Sequence, residues 1–581
     1  MLTQAPSSTP RQAQPLARRH AAPAAAHRDV RNAGAERPLP SGVLALLLAV
    51  LAVVWFGSLG TRSLISPDEG RYASLAWDML RNGDWVTPRL NGLLYFEKPP
   101  LQYWVSALFL HLFGLNVFAA RLWPGLAGFL TVLAIGGTAG RLWGKETGIR
   151  SLAVAASMTW VFGNAHFLTL DASLTLFLTL ALCAVLIAEH ACDAVHERRY
   201  WMWLAWAAMA GAVLSKGLVG ILIPGATLLL TCIWRGDFSL WRRMHWVSGL
   251  SIFLVLATPW FVLVSLRNPG FAQFFFVHEH FARYLSNVHQ REGAWWYYLP
   301  LLLGGMFPWT SALPWLWPRR AIPGPWRAVA PQDILIVYSA FVLLFFSASG
   351  SKLPSYILPM FPALALLIGL RIQQASPRAL SRHLSFPVAV WTIVLLASTQ
   401  SFRINSHSTP AEVFAQLGTG ARWGAVTFLS FAALAWWLLR RRSATLAIAT
   451  LALGHVMSMA VVMAAHNPFG QLKSAEPFVS ALEPVLQAGA PLFAVRAYDQ
   501  TLPFYLRRDV TLVDYQDEFA MGQALEPARS IASLDEFVAR WQSLPQAAAY
   551  MDFPSYGELH ERGIPMRVIY QDSRRVVVSR Q

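Results

Sequence analysis

Apolar runs of roughly 20 residues recur along most of the chain with short polar loops between them. As helices, such runs cross the ~30 Å of hydrocarbon in a bilayer. The short alternating strands of a membrane barrel are not the pattern here. The reading is an all-α polytopic membrane protein with about 13 transmembrane helices, N-terminus inside and C-terminus outside. The first span is Ser41–Gly60. Pro100–Phe118 is also apolar enough to cross, but counting it would put the basic loop Arg141–Arg150 and every later basic loop outside. Gln102, Tyr103, Trp104 and His111 suit an interfacial amphipathic helix instead. Phe118–Gly140 then becomes the second span. With that choice Arg141/Lys145/Arg150, Arg198/Arg199, Arg235/Arg242/Arg243, Arg319/Arg320/Arg327, Arg371/Arg378/Arg382 and Arg440–Arg442 all fall in cytoplasmic loops.

The pattern changes at both ends. Residues 1–39 are rich in Ala, Pro and Arg without apolar periodicity, and read as a disordered basic cytoplasmic tail. The tail is too long and too poor in apolar residues for a signal peptide. The transmembrane part is 40–466, and its first outer loop covers 61–117. From 467 to 581 the composition is that of a soluble protein. Strand-like runs at Pro491–Ala497, Val510–Asp514 and Met566–Val578 alternate with helical stretches at Pro477–Gln487 and Leu534–Gln542. That alternation predicts a small α/β domain on the outer, periplasmic face.

Composition agrees with the membrane class: 55% of the 581 residues are hydrophobic and only 13% charged. The net charge of +16 invites a nucleic-acid reading. It is set aside because the basic residues sit in topology-setting loops and no basic surface domain carries them. Part of the surplus can attract an anionic lipid. Cys183, Cys192 and Cys232 lie in or beside apolar spans without paired spacing, and read as packing residues.

Candidate chemistry concentrates in Ser66–Pro100. If Pro67 opens a helix, Asp68, Arg71 and Tyr72 share a face. The plainer alternative is an acidic first turn complementing the helix dipole. Glu97 and Lys98 follow Tyr95-Phe96 and precede two prolines. They are a solvated loop tip or, for the lysine, a phosphate ligand. Asp171 stands alone between apolar runs, as a helix cap or a substrate ligand. Lys216 is a lone cation between spans, snorkelling or binding. His278 and His280 flank Glu279 and would face one way only in a strand. This is not the spacing of a His-Glu-x-x-His zinc site, although His278 can pair with a carboxylate such as Glu97. Arg283 adds a phosphate fork. Lys352 and Tyr356 occupy a proline-punctuated loop whose plain reading is a turn. In the topology above these groups share the outer side, so their natural ligand is an anionic group borne on a lipid. No Gly-rich phosphate loop opens a helix after a strand, which argues against ATP hydrolysis. An Asp-x-Asp pair is also missing, which argues against a nucleotide-sugar donor.

Ser66–Tyr72, Gly83–Arg89, Tyr95–Pro99, Ser351–Pro359 and the His278–Arg283 loop resemble motifs of the lipid A aminoarabinose transferases. These are undecaprenyl phosphate-dependent glycosyltransferases of the GT-C class, related to protein O-mannosyltransferases. The resemblance covers nearly all of the membrane part and has the outer domain in the same place; the arginine-rich tail has no counterpart. It implies an inverting transfer of a sugar, 4-amino-4-deoxy-L-arabinose, from undecaprenyl phosphate to a lipid A phosphate. The reaction would lie on the periplasmic face of the bacterial inner membrane and lead to resistance to cationic peptides and polymyxin. The same resemblance implies that Asp68 and Asp171 are catalytic. It assigns Lys98 and Arg283, with Arg71, to the donor phosphate, and Tyr72, Tyr95, Lys216 and Tyr356 to substrate binding. It also implies a Zn2+ ion between Glu97 and His278, although two ligands alone make a weak zinc site. Alternatives are another amino sugar, a protein hydroxyl as acceptor, or a lipid or sugar transporter. A transporter calls for charges near the bilayer midplane or broken helices in both halves.

Overall fold

The computed structural model describes residues 39–580, apart from 193, 283–292, 317–328, 402–405, 407–408 and 488. For 278–282 it describes the backbone alone. All of the tail expected over 1–39 except Leu39 therefore lies outside the described residues.

The membrane part begins with helix α1 (Ser41–Gly57), followed by α2 (Asp68–Asn82), α3 (Leu101–Phe113), α4 (Val117–Trp143) and α5 (Lys145–Ser157). Next come α6 (Thr159–Ala165), α7 (Leu170–His190), α8 (Val195–Lys216) and α9 (Val219–Arg235). Among the described residues, seven helices are long and apolar enough to cross a membrane. They are α4, α7, Trp246–Arg267, Pro331–Ala348, Pro377–Ser398, Ala411–Arg440 and Ala444–Ala465. Shorter apolar helices are α1, α3, α9 and Met360–Ile372. The chain is a multi-pass helical membrane protein with a small α/β domain at its C-terminal end. At 1.5 Å per residue α1 rises about 26 Å, whereas α3 rises only about 20 Å. Helix α3 buries Gln102, Tyr103 and Ser106 and exposes Leu108, Leu112 and Phe113, so its polar edge faces the protein and its apolar edge faces outward. Small residues bring helices close: a Cβ on Gly148 of α5 would lie 2.9 Å from the Cα of Gly140 in α4.

Between α2 and α3, β1 (Arg89–Leu90) and β2 (Leu93–Leu94) form an antiparallel hairpin. Asn91 and Gly92 turn it with φ of 54° and 75°, the left-handed pair that two-residue hairpins favour. The C-terminal sheet contains β3 (Leu492–Val495), β4 (Thr511–Val513), β5 (Ser530–Ile531), β6 (Ala547–Met551), β7 (Arg567–Gln571) and β8 (Val576–Arg580). Their order is β5-β4-β3-β6-β8-β7; the first four are parallel, β8 is antiparallel to β6 and β7 to β8. The run Met566–Val578, read as one strand, is split between β7 and β8, and β6 has no counterpart in the sequence reading.

Side-chain alternation gives this sheet two different partners. Phe493, Val495, Ala549, Met551 and Val578 pack with Phe537 and Trp541 of the helix Leu534–Ser543. Leu492, Ala494, Leu512, Ala548 and Val577 share a core with Tyr72, Leu75, Ala76 and Met79 of α2. One face of the C-terminal sheet is thus the bed on which α2 lies. The fit leaves no slack, since a Cβ on Gly70 would meet the backbone of Gln500 and Thr501 at 2.5 Å.

Two alternatives that the sequence leaves open are decided here. Asp171 is not a helix cap: Thr169 holds the N-cap position and Asp171 lies inside the first turn of α7, where its carboxylate faces a lysine. The backbone over Gln273–Ala282 is a π-helix, which removes the strand geometry that would align His278 with His280.

Candidate active site

Helix α2 starts immediately after Pro67, and Asp68 is its first helical residue. The i, i+3 spacing places Arg71 Nη1 3.0 Å from Asp68 Oδ1. The other guanidinium nitrogen, Nη2, lies 2.5 Å from Glu518 of the C-terminal domain. Glu518 also accepts a hydrogen bond from Gln500 Nε2 at 3.2 Å. The side chain of Asp68 is 49% exposed, against 10% for Arg71 and 4% for Glu518. Asp68 is therefore the member of this chain of charges that solvent or substrate reaches. Arg71 Nε is buried and has no hydrogen-bond partner among the described residues. Burial pushes the Glu518 carboxyl upward against the pull of Arg71.

The hairpin delivers the second group. Asn91 clamps it to the C-terminal domain, donating to the Val510 carbonyl at 2.7 Å and accepting from the Val510 amide at 2.8 Å. Arg89 adds an ion pair to Glu526 at 2.9 Å. Just beyond β2, the buried Tyr95 donates to Glu97 at 3.1 Å, and Lys98 Nζ lies 4.0 Å from the same carboxylate. The Tyr72 ring stacks on Tyr103 of α3 with centroids 6.2 Å apart. Burial pushes the Tyr72 phenol well up, helped by Asp68, and the Tyr95 phenol likewise, helped by Glu97. Both rings are neutral donors at physiological pH.

The third group lies where α7 begins and α8 ends. Lys216, the last residue of α8, is ion-paired and hydrogen-bonded to the buried Asp171. Its ammonium lies 4.5 Å from the centroid of the Tyr356 ring, in the 3-10 turn Pro354–Ile357. Tyr72 feels the charges of both Asp68 and Asp171, which links this group to the first.

Most of the residues singled out from the sequence come together: Asp68, Arg71, Tyr72, Tyr95, Glu97 and Lys98 from the first loop, Asp171, Lys216 and Tyr356 from the bundle. Arg283 lies outside the described residues, as does the side chain of His278. Among the described residues no three His, Cys, Asp or Glu side chains gather as a metal site. Sequence reasoning missed Glu518, Gln500 and the fully buried Glu69. Glu69 had a local signal, as the second acid after Pro67, but Glu518 had none.

Chemically, the site contains three carboxylate–cation pairs: Asp68–Arg71, Glu97–Lys98 and Asp171–Lys216. An entering phosphate competes with each carboxylate for its cation. Charge-assisted hydrogen bonds to such a group are strong, and they strengthen as negative charge builds on a leaving phosphate.

Residues 478–580 match the family described as aminoarabinose transferase C-terminal domain. Residues 97–263 match that described as dolichyl-phosphate-mannose-protein mannosyltransferase. A Pseudomonas paraeruginosa protein named undecaprenyl phosphate-alpha-4-amino-4-deoxy-L-arabinose arabinosyl transferase is 32% identical over 490 residues, 82% of this chain and 86% of that protein. An Erwinia tasmaniensis protein of the same name is 33% identical over 361 residues, 61% of this chain and 64% of that protein. The crystal structure of ArnT from Cupriavidus metallidurans bound to undecaprenyl phosphate superposes with a TM-score of 0.89 at 37% identity. That match covers 93% of this chain and 98% of the other.

Proposed function

The chain belongs to the aminoarabinose transferase family, and from that premise we propose that it transfers 4-amino-4-deoxy-L-arabinose from undecaprenyl phosphate to a phosphate of lipid A. The reaction takes place on the periplasmic face of the bacterial inner membrane. It puts an amine over a surface phosphate, which weakens the attraction of cationic peptides such as polymyxin. The observation that carries this reading is the set of three carboxylate–cation pairs, two in the segment between α1 and α4 and one where α7 begins and α8 ends, with Asp68 its half-exposed member.

In the proposed step an oxygen of the lipid A phosphate attacks the anomeric carbon. The bond from that carbon to the undecaprenyl phosphate oxygen breaks, and a single displacement inverts the centre. Lys98 and Arg71, with Arg283, take up the charge that develops on the departing phosphate. The acceptor phosphate is already ionised near neutral pH and needs no general base. Asp68 then orients the sugar and stabilises its positively charged transition state, as carboxylates do in glycosyl transfer. Asp171 holds Lys216 at the edge of the sugar site, beside Tyr356. Tyr72 and Tyr95 donate as neutral phenols.

A zinc ion at Glu97 and His278 belongs to the proposal as an added positive charge and no more. Glu97 fits as a carboxylate ligand, although in this structure it accepts from Tyr95 and neighbours Lys98. No step above passes through the ion.

The test is lipid A mass spectrometry on cells carrying wild-type protein or Asp68→Asn at matched membrane levels. Wild type adds the mass of the amino sugar and Asp68→Asn adds none. An unchanged wild-type spectrum overturns the acceptor, and modification by Asp68→Asn overturns the role of Asp68.

A further inference from the structure

Glu69, next to Asp68, is a heavily bonded carboxylate of the same loop. Its side chain is 2% exposed. Arg121 of α4, 0% exposed, grips it as a fork, Nε to Oε1 at 2.7 Å and Nη2 to Oε2 at 2.8 Å. Arg62 donates to Oε2 at 3.0 Å. Two backbone amides complete the shell, Ile65 at 3.1 Å and Leu168 at 2.9 Å.

The partners of those arginines matter as much. Arg121 also donates to the carbonyls of Leu59, Arg62 and Ser63 at 3.1, 2.6 and 2.7 Å. Arg62 also donates to the His166 carbonyl and lies 3.9 Å from the centre of the Phe167 ring. The network therefore ties residues 59–65, which lead into Asp68, and residues 166–168, which lead into Asp171, to one another and to Arg121 of α4. The two acids stand on separate helices, α2 and α7, with 102 residues of sequence between them, and Glu69 is a buried group bonded to the approaches of both.

We propose that Glu69 is a positioning residue for the transfer reaction, setting the spacing and orientation of Asp68 relative to Asp171. This rests on the reading that those two carboxylates face the substrate. Charged hydrogen bonds in a dry pocket are stiff and directional, which suits a joint that must not drift. A displacement of about 1 Å in a reacting group costs up to about 100-fold in rate.

The experiment uses the full-length protein purified in detergent, undecaprenyl phosphate-linked aminoarabinose as donor and lipid A as acceptor. Glu69→Gln keeps the size of the side chain but puts an N–H against an arginine. Its kcat is expected to fall about 10- to 100-fold, with KM for the donor within about 3-fold of wild type. Glu69→Asp retains the charge, one methylene short, and recovers part of that rate. The double variant Glu69→Gln/Arg121→Met restores the native net charge of the pocket, so its thermal midpoint returns toward wild type while its kcat stays low. A purely structural role predicts instead that rate per folded molecule recovers with stability in the double variant, and that result overturns the proposal. So does wild-type kcat in Glu69→Gln. If Glu69→Gln does not fold, the double variant decides alone by the same two readouts. Asp68→Asn is measured in parallel. Activity there removes the reading on which the proposal rests, whereas inactive Asp68→Asn beside fully active Glu69→Gln removes the positioning role only.

Discussion

The two ends of α2 carry the same kinds of residue in opposite circumstances. At its start Glu69 has two guanidinium groups and two amides for its two oxygens. Burial by itself pushes that carboxyl upward, but Arg121 and Arg62 override it and hold the pKa at about 2. Near the other end, Asp78 is as buried as Glu69, with one oxygen lacking a partner among the described residues. It shares Arg81 with Asp509, whose charge repels it, and burial with that repulsion pushes its pKa up to about 6. Beside it lies a polar cavity of about 490 Å³ lined by Arg81, Asp84, Arg89, Asp509 and Arg529. The number of donors for each buried oxygen separates the two cases. Glu69 has a donor for each of its oxygens, whereas among the described residues Asp78, equally buried, has one oxygen without a partner.

That contrast can be broken most forcefully at Arg121. Arg121→Met leaves Glu69 with a single guanidinium in a dry pocket, and removing one partner of a buried pair costs about 3–5 kcal/mol. The expected outcome is a large fall in the thermal midpoint of the purified protein and a low yield in membranes. A midpoint like that of wild type would mean that the network contributes little.

Acid pH sharpens the comparison with a smaller effect. Glu69 is depressed from 4.5 to about 2, so its contribution is present above pH 4.5 and is lost as pH falls through about 2. It amounts to about 3 kcal/mol. Asp78 has the opposite sign. Its pKa is raised from 3.8 to about 6, so its contribution is full below pH 3.8 and is lost as pH rises through 6.

The smallest effect follows from that sign. Asp78→Asn removes the ionised form and should raise stability at pH 7 by about 1–2 kcal/mol after screening through the open cavity, with a higher thermal midpoint. At pH 4 the same substitution should give no gain. Thermal unfolding of both proteins at the two pH values checks it, and an equal shift at both would remove the electrostatic account.

Legibility followed the distance over which a signal acts. The apolar runs, the helix opened by Pro67 and the short, outward-greasy helix α3 are patterns of a few to twenty residues, and each appears in the structure. The Asp68–Arg71 pair was readable because three residues make one helical turn. Asp171 and Lys216 were each noticed as isolated charges, but nothing local said that each is the other's partner across 45 positions. Glu518 reaches Arg71 across 447 positions and sits in a turn that resembles any other acidic surface turn. Strand β6, Ala547–Met551, was passed over because three alanines offer little hydrophobic signal, although all five of its residues are buried.

By itself the sequence determined the class of the protein, the crowding of ionisable residues into Ser66–Pro100 and the motifs that resemble the family, because hydropathy, charge placement and short-range spacing act along the chain. The tertiary structure decided which carboxylate each cation faces, which face of the C-terminal sheet supports α2, and that Glu69 links the approaches to Asp68 and Asp171. Those are consequences of burial: only when distant segments exclude water together does an unmatched charge become too costly, and the partner is then whichever group the packing brings within reach.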